Sequence, residues 1–377
     1  MTVRYIRVSP DPVPFAPAVR AFGNIAVVGK ITPPGAPPAD LAVVNVPIAF
    51  TEPEEARRRA PGDLGEAIAL ALTQSPGPSL VTGVRVNETT PNFETALEVV
   101  AGLDVQLVVV ANTPLTAATG KVDTPKGALA LLAEHVASVS ETGADGRQRM
   151  GVAMLPKDSA DPAPVTGSLA NERMVFIAHR STQDAAAAVA GAIAGFEPHI
   201  SLLLKPVNIT SPSFSQAQIE ALNGSETFKS GPAGKGVNWL TSPSIIPGNG
   251  VYLGEGYTAN PGGKKYIDVV RVVDKINFEL NAQLIRTIGN IRISRSGLRA
   301  LVAQIEAILS PQVQSDVLND FDVVVPLLAL LDKDPATLTD SEAVQIRDAE
   351  TQRVVQVLVA VQYAGAIHRL SVTFKFT

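Results

Sequence analysis

The chain has 377 residues, no cysteine and a formal net charge of −5. Hydrophobic residues make up 46% and charged residues 18%, enough for roughly two or three packed domains, which excludes a chain disordered throughout. The acidic balance argues against a general nucleic-acid binder, and the lack of cysteine removes disulfides, thiolate metal sites, iron–sulfur clusters and a thiol nucleophile.

The first residues, Met1 to Val8, mix charged and apolar side chains. They lack the unbroken apolar stretch of a secretory signal, so the chain is expected to be soluble and to use no such route. A short alternating stretch, Val3 to Val8, runs into Pro10, Pro12, Pro14 and Pro17, which rule out helix and suit an extended arm. Residues 24–31 read as a buried strand, and a proline-rich loop follows. The pattern then alternates: helix over 65–73, strand over 80–86, helix over 96–101, strand over 105–110, helix over 125–139, strands over 149–155 and 174–178, and helix over 183–195. This is the grammar of an α/β layered domain, resembling a doubly wound sheet without its nucleotide signatures. The most apolar run, Ala185 to Phe196, is too short to span a bilayer and reads as a small-residue helix packed close to a neighbour.

Residues 223–263, rich in Gly, Pro, Ser and Asn, read as a loop-dominated connector. Beyond them Tyr266 to Ile288 has helical spacing. A second helix carries Leu298, Leu301, Val302, Ile305, Ile308 and Leu309, with Ser296 as its cap and Pro311 as its end. The chain closes on alternating strands. Val355, Val357, Val359, Val361 and Tyr363 share one face, a turn follows at Ala364-Gly365, and a last strand sets Leu370, Val372, Phe374 and Phe376 opposite Arg369, Ser371, Thr373 and Lys375.

Chemistry is sparse. None of His135, His179, His199 and His368 stands at the i, i+4 spacing of a helical metal site. The strings Gly231 to Gly236 and Pro261 to Lys265 lack the spacing and the Ser/Thr of a phosphate loop and read as turns. There is no G-x-S-x-G elbow. Asp316, Asp320, Asp322, Asp332, Asp334 and Asp340 fall in loop-like segments without calcium-ligand spacing. No catalytic, cofactor-binding or metal-binding residue is therefore assigned, and no cofactor is expected. Charge is segregated instead. Residues 271–300 hold six cations and two anions, net +4, and residues 301–350 hold ten anions and two cations, net −8. The two halves either pair, within or between subunits, or form solvated faces.

Several segments, in order, resemble the tail sheath proteins of contractile phage tails and contractile injection systems. They are Arg20 to Gly29; Asp63 to Ile68 leading into Val81 to Val86; Ala188 to Ala194 with Lys205-Pro206-Val207-Asn208; Lys235-Gly236-Val237-Asn238; and Tyr266-Ile267-Asp268-Val269-Val270-Arg271-Val272-Val273-Asp274-Lys275-Ile276. The resemblance covers most of the chain, without the glycine pair that follows the first helix in many relatives or the extra outer domains of large phage sheaths. It implies a mixed α/β fold of four parts: an N-terminal arm (1–20), an outer or middle α/β domain (21–255), an inner domain facing a tube (256–365), and a C-terminal strand arm (366–377). It implies a structural, non-enzymatic subunit that polymerises helically around an inner tube and contracts to drive it through a target envelope. Its partners would be copies of itself, the tube protein, and baseplate and tail terminator proteins, with no nucleic acid and no membrane insertion. The particle would be a virion tail or injection particle assembled in the host cytoplasm.

On the same resemblance, Val3, Arg4, Tyr5, Ile6, Arg7 and Val8 at one end, and His368, Leu370, Val372, Phe374 and Phe376 at the other, form the inter-subunit arms. Arg286, Arg292, Arg295 and Arg299 are the tube-contact candidates. Another self-assembling tail or baseplate component, or an α/β enzyme with an unrecognised site, remains as an alternative reading. Long polymers that depend on both termini distinguish the first reading from the last.

Overall fold

Ile25-Ala26-Val27-Val28-Gly29 is buried along its whole length, because alternate side chains of this strand enter two different cores. Ile25 and Val27 join one, Ala26 and Val28 the other. A strand covered on both faces belongs in a parallel sheet between helical layers. The computed structural model describes residues 21–33, 35, 38–142, 146–161, 169–225, 235–248, 250–260, 262–264 and 266–368.

The larger part of the chain contains β1 (Ile25–Gly29), β2 (Pro47–Phe50), α1 (Pro53–Arg59), α2 (Asp63–Leu72), β3 (Val81–Arg85), α3 (Phe93–Ala101) and β4 (Leu107–Pro114). It continues through α4 (Ala128–Glu141), β5 (Met150–Met154), β6 (Met174–Ala178), α5 (Ala185–Gly195), α6 (Gln216–Asn223), β7 (Val237–Thr241) and β8 (Tyr252–Leu253). These strands form one eight-stranded sheet ordered β2-β3-β1-β4-β5-β6-β7-β8. The sheet is parallel from β3 to β7 and antiparallel at both edge strands. Helices α2 and α5 cover one face, and α3 and α4 the other. Helix α5 is alanine-rich and buried for most of its length. A Cβ added at Gly191 would lie 2.5 Å from the Ala71 carbonyl oxygen of α2, so the small residues let two helices approach closely.

The connector over 223–263 is where the sequence reading fails. It contains β7 and β8, which complete the sheet. Strand β7 was masked by Asn238, a polar residue in a buried position. Its side chain accepts from the Tyr257 amide at 2.7 Å and donates to the Tyr257 and Phe176 carbonyls at 2.8 and 3.3 Å. A buried amide so fully partnered costs little, and it ties the edge of the sheet to the chain beyond.

Beyond the sheet come α7 (Ile267–Leu284), α8 (Arg295–Gln314), β9 (Leu318–Val324), α9 (Pro326–Leu331), a short 3₁₀ turn (Pro335–Thr337), α10 (Asp340–Gln352) and β10 (Leu358–Tyr363). Helix α7 spans two cores: Ile267 and Val270 pack under the large sheet, while Val272 and Ile276 join a second cluster with Ile305, Leu309, Val317 and Leu318. Two expectations for α8 are corrected. Its cap is Ser294, whose hydroxyl accepts from the Gly297 amide at 3.2 Å, and Pro311 lies inside the helix. Burial of Ile308, Leu309 and Gln312 around the proline outweighs the lost backbone bond. The acidic residues are not all in loops: Asp320 and Asp322 lie in β9, and Asp340 begins α10, with the capping box Thr339–Glu342. Ala366, Ile367 and His368 are not in a strand, and the expected closing strand begins beyond them. Residues 369–377, like 1–20, lie outside the described residues.

One polar cluster makes the sheet's stability sensitive to pH. Arg149 is fully buried ahead of β5, and its guanidinium donates to the Val100 and Leu103 carbonyls at 2.8 and 3.1 Å, at the end of α3. His135 of α4 lies 3.4 Å from it. Burial, and then the charge of Arg149, pull His135 down to about 4. The unfolded chain takes up this proton near pH 6.5 and the folded chain does not. This stability is therefore complete above pH 6.5, and about 3 kcal/mol is lost as the pH falls to 4. Urea titrations across that range should show the loss in the native chain and a flatter profile in His135→Asn.

Candidate assembly surfaces

Strands β9 and β10 pair with each other, antiparallel, and with no other strand among the described residues. A two-stranded ribbon is marginal by itself, and this one is held by its inner face. Phe321, Val323, Val357, Val359 and Tyr363 pack towards α7 and α8. The alternation expected over 355–363 holds at Val357, Val359 and Tyr363 but not at Val361, which is 39% exposed. Pairing begins at Leu358, while Val355 and Val357 pack near residues of α8 and α10. Among the described residues both outer edges lack a strand partner, and a further strand would satisfy their backbone groups.

Beside β10 the helices are not covered. A groove of ≈ 640 Å³ runs between Leu280 and Leu284 of α7, Leu301 and Ile305 of α8, and Val357 and Val359 of the ribbon. Apolar side chains predominate in its lining, which also includes Asn277, Asn281, Thr287, Arg292 and Arg353. A strand laid along β10 would extend the ribbon over this groove, placing apolar side chains on the floor and backbone groups on the open edge.

The α7–α8 turn carries two of the four tube-contact candidates. Arg286 and Arg292 are exposed next to Ile285 and Ile288, which are 68% and 77% exposed. Neither arginine makes an ion pair among the described residues. Arg295 and Arg299 sit on the first turns of α8 and are occupied. Arg295 donates to the Leu331 and Lys333 carbonyls and lies 3.7 Å from Asp332, while Arg299 reaches Asp332 at 3.0 Å. Lys333 in turn pairs with Glu342 at 2.5 Å. The segregated charges are therefore partly neutralised inside the subunit, through exposed pairs that contribute little stability.

Of the arm residues, only His368 is described, and it is seated on its own subunit. Its Nδ1 lies 3.0 Å from Glu255 Oε2, its Nε2 2.8 Å from Ser201 Oγ, and its ring 4.7 Å from that of Tyr266. Val3, Arg4, Tyr5, Ile6, Arg7, Val8, Leu370, Val372, Phe374 and Phe376 lie outside the described residues. Among the described residues no group of three His, Asp or Glu side chains is placed to share a metal ion, and no helix is long and apolar enough to cross a membrane.

Comparison with solved structures places this architecture. A chain of the anti-feeding prophage helical sheath in its contracted state is similar over 100% of this chain and 99% of its own, with 14% identity and a TM-score of 0.61; a chain of the same particle's baseplate matches with a TM-score of 0.65. The fold is that of contractile sheath subunits. An extracellular contractile injection system sheath complex in the contracted state shares the sheath fold over 100% of this chain and 98% of its own, at 10% identity and a TM-score of 0.64. The sheath tail protein of Desulfitobacterium hafniense matches over 86% of this chain and 93% of its own, at 12% identity and a TM-score of 0.57. No family model and no curated protein matches the sequence. The expected mixed α/β sheath fold is thus present among the described residues, at 10–14% sequence identity.

Proposed function

We propose that this chain is the structural subunit of a contractile sheath, which polymerises helically around an inner tube and contracts to drive the tube through a target envelope. The observation that carries the reading is the open-edged β9–β10 ribbon beside an uncovered apolar groove, in a chain with the sheath fold over its full length. The alternating stretches Val3–Val8 and Leu370–Phe376 are the strands proposed to fill that edge in neighbouring subunits. Such a head-to-tail contact does not close on itself and so builds a helix. In this reading residues 1–20 and 366–377 are arms, 21–255 the outer or middle domain and 256–365 the inner domain, with His368 at the root of its arm. The role needs no catalytic step. Baseplate and terminator proteins would bound the polymer, and the particle would be a phage or injection-particle tail assembled in the host cytoplasm. Long hollow cylinders in negative-stain electron micrographs of the purified chain are the expected result; uniform small particles at every concentration would sink the reading.

The tube contact is proposed at the exposed turn, with Arg286 and Arg292 as the available charges and Ile285 and Ile288 beside them. Arg295 and Arg299, committed to Asp332 and the end of α9, are proposed as its support. Reversing both free charges, Arg286→Glu with Arg292→Glu, should lower co-sedimentation of sheath with preformed tube by about tenfold or more in low salt, while empty cylinders still form. Reversing Arg295 and Arg299 should instead disturb α9 and lower the melting temperature. Equal tube binding by the first double variant and the native chain would remove the assignment.

A further inference from the structure

Both ends of the described chain are fastened to the same helix. At the start, the Phe22 carbonyl accepts from Arg271 of α7 at 3.2 Å, and the Phe22 ring meets Phe278 of α7 edge-on, with centroids 6.0 Å apart and planes at 84°. Gly23 then lies so close to α5 that a Cβ would stand 2.2 Å from the Ala194 carbonyl oxygen. At the finish, the Tyr363 hydroxyl donates to Asp268 of α7 at 2.7 Å and to the His199 carbonyl at 3.3 Å. His368 packs on Tyr266, the residue that caps α7. Asp268, Arg271 and Phe278 are spaced i, i+3 and i+10, so they recur on one stripe of the helix.

The stripe is set among buried charges. Asp268 and Arg271 are 4% and 7% exposed. The Arg271 guanidinium also donates to the Phe196 carbonyl at 2.8 Å, and Arg173 reaches Asp274 at 2.5 Å. Burial pulls Arg271 down to about 10, and burial with the Asp268 carboxylate raises Tyr363. Groups joined in one buried polar network respond together when one is removed. Nothing in the folding of the large sheet requires residues 22 and 363–368, which are about 340 positions apart, to share one helix.

We propose that the segment of α7 from Asp268 to Phe278 is a common tie between the roots of the two chain ends, passing a pull on one root to the other. This rests on the sheath reading for what pulls, but the tie itself is a property of a single subunit. In a polymer linked through both ends, tension would then run from neighbour to neighbour along α7.

The test uses amide hydrogen exchange on the full chain, kept below the concentration at which it polymerises. Tyr363→Phe removes one hydroxyl at the C-terminal root and should speed exchange of the amides of residues 22–25 by about tenfold, at the opposite end of the sequence. Phe22→Leu should do the same for the amide of Ala364, which is bonded to the Val317 carbonyl. Arg271→Lys, which keeps the charge but not the two-carbonyl fork, should loosen both roots. Acceleration confined to the mutated end would overturn the tie, and so would a uniform rise across β1, β4 and β5, which reports general destabilisation. Because the measurement is made on single subunits, a chain that never forms cylinders defeats the sheath reading yet leaves this result readable.

Discussion

Removal of residues 369–377 is expected to abolish long cylinders while leaving the subunit folded. The deleted segment carries Leu370, Val372, Phe374 and Phe376 on one face. Each such side chain contributes about 1.5–3 kcal/mol when fully buried, and each ~1.4 kcal/mol is tenfold in an equilibrium. After the cost of ordering the arm, the critical concentration for polymerisation should still rise by at least about 100-fold. The root is kept in this variant, since His368 and its bonds to Glu255 and Ser201 remain. The melting temperature should therefore change by no more than about 2 °C. Deletion of residues 1–20 should act in the same direction on polymer and subunit. Cylinders of normal length from both truncated chains, seen in micrographs at the same concentration, would mean that the sheet edges are not joined by these strands.

That expectation turns on a mismatch inside the subunit. Among the described residues the β9–β10 ribbon has two strands, and the groove beside it is lined from α7, the α7–α8 turn, α8 and the segment leading into β10. A monomer designed for solubility would place charges there. Only two charged side chains, Arg292 and Arg353, are among its lining residues, and most of the others are apolar. An edge with open hydrogen-bonding groups beside a mostly apolar groove selects a strand with one apolar face, and the closing stretch of the chain has that pattern more clearly than any other segment.

The large sheet was legible because its strands are buried on both faces and its helices are amphipathic or small, so composition and period agree for β1, β3, β4, β5 and β6 and for α2 to α5. What escaped did so for identifiable reasons. Strand β7 hides behind Asn238, a buried amide whose partners come from distant residues. Helix α10 buries no residue and so has no periodic signal, although its Thr339-x-x-Glu342 capping box is written in the sequence, as is Ser215-x-x-Gln218 ahead of α6. Pro311 reads as a stop, yet burial of its neighbours carries α8 through it. The four arginines of the basic segment look equivalent along the chain. Only the fold separates Arg295 and Arg299, folded back onto α9, from Arg286 and Arg292 at the open turn. The groove was hidden by the same logic: Leu280, Leu284, Leu301 and Ile305 have the spacing of core residues, and periodicity does not say whether their cover comes from the same chain.

That ambiguity is resolved by a pair of substitutions one residue apart. Leu284 faces the groove, and Ile285 stands outside it, exposed on the turn. Lysine at either position is tolerated by the end of a helix, where a cation is mildly favourable. In the isolated subunit both positions reach water, so Leu284→Lys and Ile285→Lys should each change the unfolding free energy by about 1 kcal/mol or less. In the polymer the two diverge. If a neighbour's strand covers the groove, Leu284→Lys puts an unpaired ammonium under it, at a cost of several kcal/mol. Cylinders should then appear only at a concentration raised by about 100-fold or more, whereas Ile285→Lys should leave the threshold where it was. Light scattering against concentration measures both. Equal thresholds for the two variants would mean that the groove stays open in the polymer, and that the links between subunits lie elsewhere.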